Sequence, residues 1–294
     1  MKIGMIDVDG HNFPNLALMK ISAYHKSKGD QVEWWNGLMR YDIVYQAKVF
    51  DETYSKDNEF VVMADKVIRG GTGYGLDNKL PDYVEHIYPD YSLYGITDTA
   101  YGFLTRGCPR HCKFCIVGDK EGLVSHKVAD LSEFYKGQKK LELLDPNILA
   151  SADAINLLKQ VRDSGARVNY NQGLDIRFMT DEAAEILNQT NIETIHFAWD
   201  NYEFKTYECL KQNRDKFDLD ERRLKVYVLT NFNTTHEQDL ERVEKLRELK
   251  YDPYVMVYDK PNAPRVTKRL QRYVNNKFIF RSCDSFDEYQ RGEI

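Results

Sequence analysis

Residues 101–118 read YGFLTRGCPRHCKFCIVG: a short apolar strand that runs directly into a loop carrying Cys108, Cys112 and Cys115. Three of the chain's five cysteines fall within eight positions, while Cys209 and Cys283 stand far downstream without partner spacing. Cysteines at i, i+4 and i+7, in a loop that also holds Gly107 and Pro109, can bring soft thiolates to one metal centre. Such ligands suit zinc or an iron–sulfur cluster. A closed structural zinc site needs a fourth protein ligand, which His111 or His126 would supply. A cluster held by three cysteines leaves one iron open, and an open coordination position marks a catalytic site. An odd, clustered cysteine count does not read as a secreted disulfide framework.

Downstream of this loop the grammar is regular. YGFLTRG, KLELLDPN, ARVNYNQ, IETIHFAWDN, LKVYVLTN and DPYVMVYDK form a series of six expected strands. Helical segments separate them. Asp130 caps a short one, and Ser151 caps SADAINLLKQVRDSG, whose Ile155, Leu158 and Val161 make an apolar stripe closed by Gly165. Thr180 caps TDEAAEIL, and TTHEQ offers a capping box for a helix from about Thr234 with Leu240, Val243 and Leu246. Strands alternating with helices predict a partial (β/α)6 TIM-type barrel. Polar residues gather just after the strands: Asp145 and Asn147, Gln172 and Asp175, Asp200 and Asn201, Thr230 and Asn231, Tyr258 and Asp259. In such barrels the chemistry sits at the C-terminal strand ends, and the cysteine loop belongs to that rim.

Upstream, KIGMID ends in Asp7 to Gly10 as a buried parallel strand does. A helix is expected from Pro14, with Leu18, Ile21 and Tyr24 on one face and Gly29 as its cap. Strand-like QVEWW, YDIVYQAKVF and EFVVMADKVIRGG follow, giving a small Rossmann-like α/β domain. LPDYVEHIYPDYSLYG, with Pro81 and Pro89, reads as a linker, so the expected division is 1–95 and 96–294, the latter with a C-terminal extension. The chain has 294 residues, 42% of them hydrophobic and 30% charged, with a net charge of −5, which argues against bulk nucleic-acid affinity. Its start, MKIGMIDVDGHNFPN, shows no signal peptide. No apolar run nears the roughly 18 residues of a membrane span. Cytoplasm, with no membrane partner, is the expected location. Arg265, Lys268, Arg269 and Arg272 share one helix face, either a solvated charged face or a contact for phosphate-bearing substrate or tRNA.

CPRHCKFC is a CxxxCxxC pattern with an aromatic, Phe114, before its last cysteine, and it follows the first strand of a βα series. In this it resembles the radical S-adenosylmethionine superfamily. TRGCPRHCKFC is especially similar to members with an N-terminal cobalamin-binding-like domain and to tRNA methylthiotransferases. The barrel resemblance covers roughly residues 98–260, and at the domain level it reaches back to residue 1. It implies that Cys108, Cys112 and Cys115 each bind one iron of a 4Fe–4S cluster and that S-adenosylmethionine chelates the fourth. Reductive cleavage would then release a 5′-deoxyadenosyl radical that abstracts hydrogen from a substrate. An external one-electron reductant such as flavodoxin or ferredoxin is implied as well.

The resemblance places Phe114 near the adenine and an acidic residue, here Asp200, on the ribose hydroxyls. Where the family often has Gly-Gly-Glu to bind the methionine amino group, this chain reads LLDPN, so Asp145 and Asn147 must substitute. Gln172, Asp175 and Arg177 follow the third strand. Arg177 would pair with the methionine carboxylate; a solvent-facing salt bridge is its alternative, and a capping turn is the alternative for Asp175. HNFPNLALMKISAYHKSKGDQVEWW and the IRGGTG turn at Gly70 and Gly71 resemble cobalamin-binding-like domains. Asp9-Gly10-His11-Asn12-Phe13-Pro14 matches their Asp-x-His-x-x-Gly motif in part, with Pro14 in place of the glycine. A shortened domain that shapes the substrate entrance is favoured over cobalamin binding. Within the class a cobalamin-dependent radical methyltransferase or a tRNA-modifying enzyme stays open, while methylthiotransfer is disfavoured because no cysteine precedes Cys108. The reading from another class is a zinc-stabilised nucleic-acid-binding or structural module. The substrate, small molecule or RNA, is not named by the sequence, and no catalytic residue is assigned.

Overall fold

The computed structural model describes residues 1–10, 12–57 and 59–291. By packing, the chain divides into two compact units, Met1–Glu142 and Leu143–Ile294. The first opens with β1 (Lys2–Asp7), α1 (Leu16–Ser27), β2 (Gln31–Trp34), β3 (Tyr41–Ala47) and β4 (Ala64–Gly70). These strands form a parallel sheet in the order β2-β1-β3-β4. Asn15 starts α1 by accepting a hydrogen bond from the Leu18 amide at 3.2 Å. Leu18 of this helix packs on Ile3 and Met5, while Ile6, Tyr41 and Val44 gather with Trp35 and Val62 in a second cluster. Among the described residues no helix links β3 to β4; an irregular strap does, as the scarcity of helical pattern there anticipates.

The rest of this unit contains α2 (Asp82–Glu85), β5 (Thr99–Gly102), β6 (Thr105–Arg106), α3 (Val117–Glu121), β7 (His126–Lys127) and β8 (Lys140–Leu143), the last crossing the division. Residues 80–95, expected as a linker, are packed instead. They hold α2 and a 3-10 turn at Tyr91–Tyr94, and the buried Tyr91 hydroxyl donates to the Phe134 carbonyl at 2.8 Å while accepting from the Tyr101 amide at 3.0 Å. The expected strand YGFLTRG also breaks. β5 ends at Gly102, where the Phe134 ring lies so close that a Cβ would stand 2.4 Å from it. Thr105 and Arg106 pair antiparallel with His126 and Lys127.

The second unit continues with α4 (Ala154–Asp163), β9 (Arg167–Tyr170), α5 (Asp181–Asn188), β10 (Ile192–Ala198), α6 (Phe204–Arg214), β11 (Leu224–Thr230), α7 (His236–Glu248) and β12 (Asp252–Val257). It closes with α8 (Arg265–Asn275), α9 (Lys277–Ser282) and α10 (Phe286–Arg291). β9 to β12 run parallel in chain order, and the Asn171 amide donates to the Leu143 carbonyl at the end of β8 at 3.2 Å. Leu157, Leu158 and Val161 of α4, Ile186 and Leu187 of α5, and Val243 and Leu246 of α7 bury the apolar stripes, and Val168, Ile195, Phe197, Val226 and Val228 are buried on the strands. Thr180 and Thr235 cap α5 and α7 as expected, Thr235 through a full capping box with Gln238. Ser151 does not cap α4: a 3-10 turn at Ile148–Ala150 intervenes, Asp153 takes the N-cap position, and the Ser151 hydroxyl accepts from the Asp153 amide. The architecture is mixed α/β with parallel sheets; five of the six strands expected of the barrel series are present as β8 to β12, while the first is shifted to β5.

Candidate cysteine loop and strand-end site

The loop of the first unit is closed at its base. Gly107 has φ +81°, and a Cβ there would meet the Val124 carbonyl oxygen at 2.2 Å, so only glycine fits. The Cys108 amide donates to the Gly122 carbonyl at 3.1 Å, and Glu121 takes both the Arg106 guanidinium at 2.6 Å and the Gly107 amide at 3.2 Å. Inside the loop the Cys115 amide donates to the Cys112 carbonyl at 2.9 Å, and His111 adopts φ +45°. Cys108, Cys112, Cys115 and Phe114 are all half-buried. His111 is exposed, with Nε2 3.9 Å from Asp119, and the exposed His126 sets Nδ1 3.0 Å from the Val124 carbonyl. Among the described residues, no group of three or more His, Cys, Asp or Glu side chains stands converged as a metal ion would need.

The second unit collects polar residues after its strands. Asp145 and Asn147 are buried in the turn that follows β8. Near Asp145 lies the Tyr170 hydroxyl, buried and without a hydrogen-bond partner among the described residues; burial first, then the negative charge of Asp145, pushes its pKa far above the usual phenol range. Gln172 is exposed. Asp175 accepts from the Arg177 amide at 3.1 Å and grips its guanidinium through Nε at 2.6 Å and Nη2 at 3.0 Å. Asp175 is therefore the cap of the 3-10 turn at Ile176–Phe178, and Arg177 is ion-paired but mostly enclosed, its side chain 17% exposed. Asp200, just past β10, sits with this pair. Burial lifts its carboxyl from the ordinary 3.8 to about 6, against the pull of Arg242 and Arg177 and with a push from Asp175. The structure thus brings Asp175, Arg177 and Asp200 together, and Asp145 beside Tyr170.

Arg242, which the sequence reading passed over, organises this rim. It is fully buried on α7, pairs with the buried Asp239 at 2.6 Å, and donates to the Trp199 carbonyl after β10 and, at 2.7 Å, to the Leu229 carbonyl of β11. The signal available was an Asp and an Arg at i, i+3 beside the apolar positions Val243 and Leu246, an odd place for two charges. Tyr170 and His196 were also missed. The His196 Nδ1 lies 3.0 Å from the Tyr170 carbonyl, its ring stacks on Tyr227 at 4.8 Å, and burial lowers its pKa to about 4, so it is neutral near pH 7. Chemically, this rim presents carboxylates that can accept hydroxyl and ammonium protons and a guanidinium suited to a carboxylate.

In the N-terminal sheet Asp9 accepts from the Val49 amide and the Ser55 hydroxyl, both at 2.6 Å. His11, the centre of the partial Asp-x-His match, lies outside the described residues. On α8, Arg265, Lys268 and Arg272 are exposed, and Lys268 donates to the Pro261 carbonyl at 3.0 Å. Among the described residues no helix is long and apolar enough to cross a membrane.

No protein-family model and no curated protein matches the chain. Solved structures do. The radical S-adenosylmethionine methyltransferase TsrM from Kitasatospora setae, with cobalamin and a 4Fe–4S cluster bound, is similar at a TM-score of 0.61 and 12% identity, over 87% of this chain and 74% of that one. TsrM with tryptophan substrate and the S-adenosylmethionine analogue aza-SAM gives 0.62 at 12% identity, over 87% of this chain and 72% of that one. At this identity the likeness is one of fold. The chain carries the fold of a radical S-adenosylmethionine enzyme.

Proposed function

We propose that the chain is a radical S-adenosylmethionine enzyme that generates a 5′-deoxyadenosyl radical to abstract hydrogen from a small-molecule or RNA substrate. The observation that carries this reading is the closed loop that presents Cys108, Cys112 and Cys115, in a chain with this fold. A single tetrahedral zinc draws its sulfurs to roughly 4 Å of one another. A cubane takes one thiolate on each of three irons, and three thiols on one anchored loop fit it in kind and number. When bound, the cluster supplies the electron that cleaves the sulfonium.

The protein's own part is binding and orientation. Asp145 and Asn147 would accept the methionine ammonium, and Arg177 would share its guanidinium between Asp175 and the methionine carboxylate. Asp200 would accept the ribose hydroxyls, with Phe114 against the adenine and Gln172 contributing to the cofactor site after β9. Residues 1–95 serve as an abridged cobalamin-binding-like domain and 96–294 as the radical core with its extension. The protein works in the cytoplasm with a flavodoxin or ferredoxin as electron donor.

Anaerobic reconstitution with iron and sulfide tests this. The expected result is a brown protein that forms 5′-deoxyadenosine from S-adenosylmethionine and reductant. Zinc in place of iron and sulfide, or a cluster that never cleaves the cosubstrate, would overturn it, the first outcome in favour of a zinc-stabilised module.

A further inference from the structure

An open parallel sheet offers ligand room outside the carboxyl ends of its strands, at the point where the strand order switches. In the order β2-β1-β3-β4 that point lies between β1 and β3. Two of the chain's own side chains are engaged there. Asp9, after β1, is spent on the Val49 amide and the Ser55 hydroxyl. Lys48, after β3, is fully buried; its ammonium pairs with Glu52, lies 2.9 Å from Asp57, and stands 4.4 Å from the centre of the Tyr74 ring. The Tyr74 hydroxyl donates to the same Asp57 oxygen at 2.7 Å and receives the Gln46 amide at 2.6 Å. The buried Lys48 ammonium is thus met by two carboxylates, as a buried charge must be, although Glu52 itself is exposed.

The double-glycine turn after β4 follows the same logic. Gly71 has φ +98°, and a Cβ on it would stand 2.3 Å from the Lys48 carbonyl oxygen. A Cβ on Gly73 would stand 2.2 Å from that of Phe50. Gly71 and Gly73 therefore allow close approach to neighbouring backbone, while a Cβ on Gly70 would meet nothing within 4 Å. The residue between them faces the cysteine loop: Thr72 Oγ1 accepts a hydrogen bond from Lys120 Nζ. Lys120 is the penultimate residue of α3, the helix that begins two positions after Cys115, and the next residue is the Glu121 that clamps Arg106 and the Gly107 amide. Thr72 thus holds the same short helix end that closes the loop.

We propose that the strand ends of the N-terminal sheet seat the cysteine loop through Lys120 on Thr72. The seat deepens the reading of this loop as a cluster binder and rests on it for its purpose, while the contact itself is tested without a cluster. In the metal-free full chain, amide hydrogen exchange over residues 107–122 should run about tenfold faster in Thr72→Val, which loses the acceptor of one charge-assisted bond. Lys120→Gln, which removes the charged donor from the other side, should do the same, so poor folding of one variant leaves the other to decide. Unchanged exchange in a folded variant overturns the seat. Failure of the parent to take up iron and sulfide would sink the cluster reading alone and leave the exchange result standing.

Discussion

Asp200→Asn separates binding from stability. An aspartate whose pKa rises from 3.8 unfolded to about 6 folded binds its proton more tightly in the native state. Ionising it in place costs about 3 kcal/mol, at 1.36 kcal/mol per pH unit, an upper bound for a half-buried group. That cost is absent below pH 3.8, builds as pH climbs to 6, and is complete above it. The asparagine variant has no such charge. It should match the parent near pH 3.5 and exceed it by up to about 3 kcal/mol at pH 7, read as the difference between urea unfolding curves at several pH values. Its affinity for S-adenosylmethionine, by equilibrium dialysis at pH 7.5, should fall by at least about tenfold if the carboxylate accepts the ribose hydroxyls. A variant that is less stable than the parent at pH 7, or a stability difference that ignores pH, would refute the assignment of burial as the dominant influence on this group.

Cys112→Ala should leave the chain folded but unable to keep a cluster, with iron and sulfide per chain close to zero after desalting; full retention would mean the ligands are others. Arg242→Met strands the buried Asp239 and two strand-end carbonyls, and should cost about 3–5 kcal/mol in urea unfolding. The double variant Asp239→Leu/Arg242→Met should recover most of that loss, and no recovery would count against the buried pair as its source. Gly107→Ala forces a side chain into a left-handed turn against the Val124 carbonyl and should cost about 1–3 kcal/mol. A neutral result there would mean the loop base can shift.

The strands of the second unit were legible because each is a short apolar run with polar residues at its end. Thr180 and Thr235 were legible because capping is written in adjacent residues. What escaped depends on distant partners. Nothing local in YGFLTRG shows that Phe134 will settle on Gly102, and two prolines do not reveal that Tyr91 will be anchored by Phe134 and Tyr101. Ser151 looked like a cap because the 3-10 turn before α4 shares its composition with a helix start. Residue type and position after a strand were enough to single out Asp175, Arg177 and Asp200, but not to show that Asp175 would grip Arg177. Tyr170 and Arg242 were hidden because their roles come from burial, and a lone tyrosine or arginine in an apolar stripe does not announce what surrounds it.

Arg242 also sets a schedule for synthesis. The carbonyl of Trp199 waits for a donor 43 residues further along, so a nascent chain that has already emitted β10 and β11 still lacks the group that ties their ends. Until α7 has left the ribosome and docked, that edge of the molecule is an unlatched seam. Slow emergence of residues 231–248 from the ribosome should prolong the interval in which it is open to chaperones and proteases.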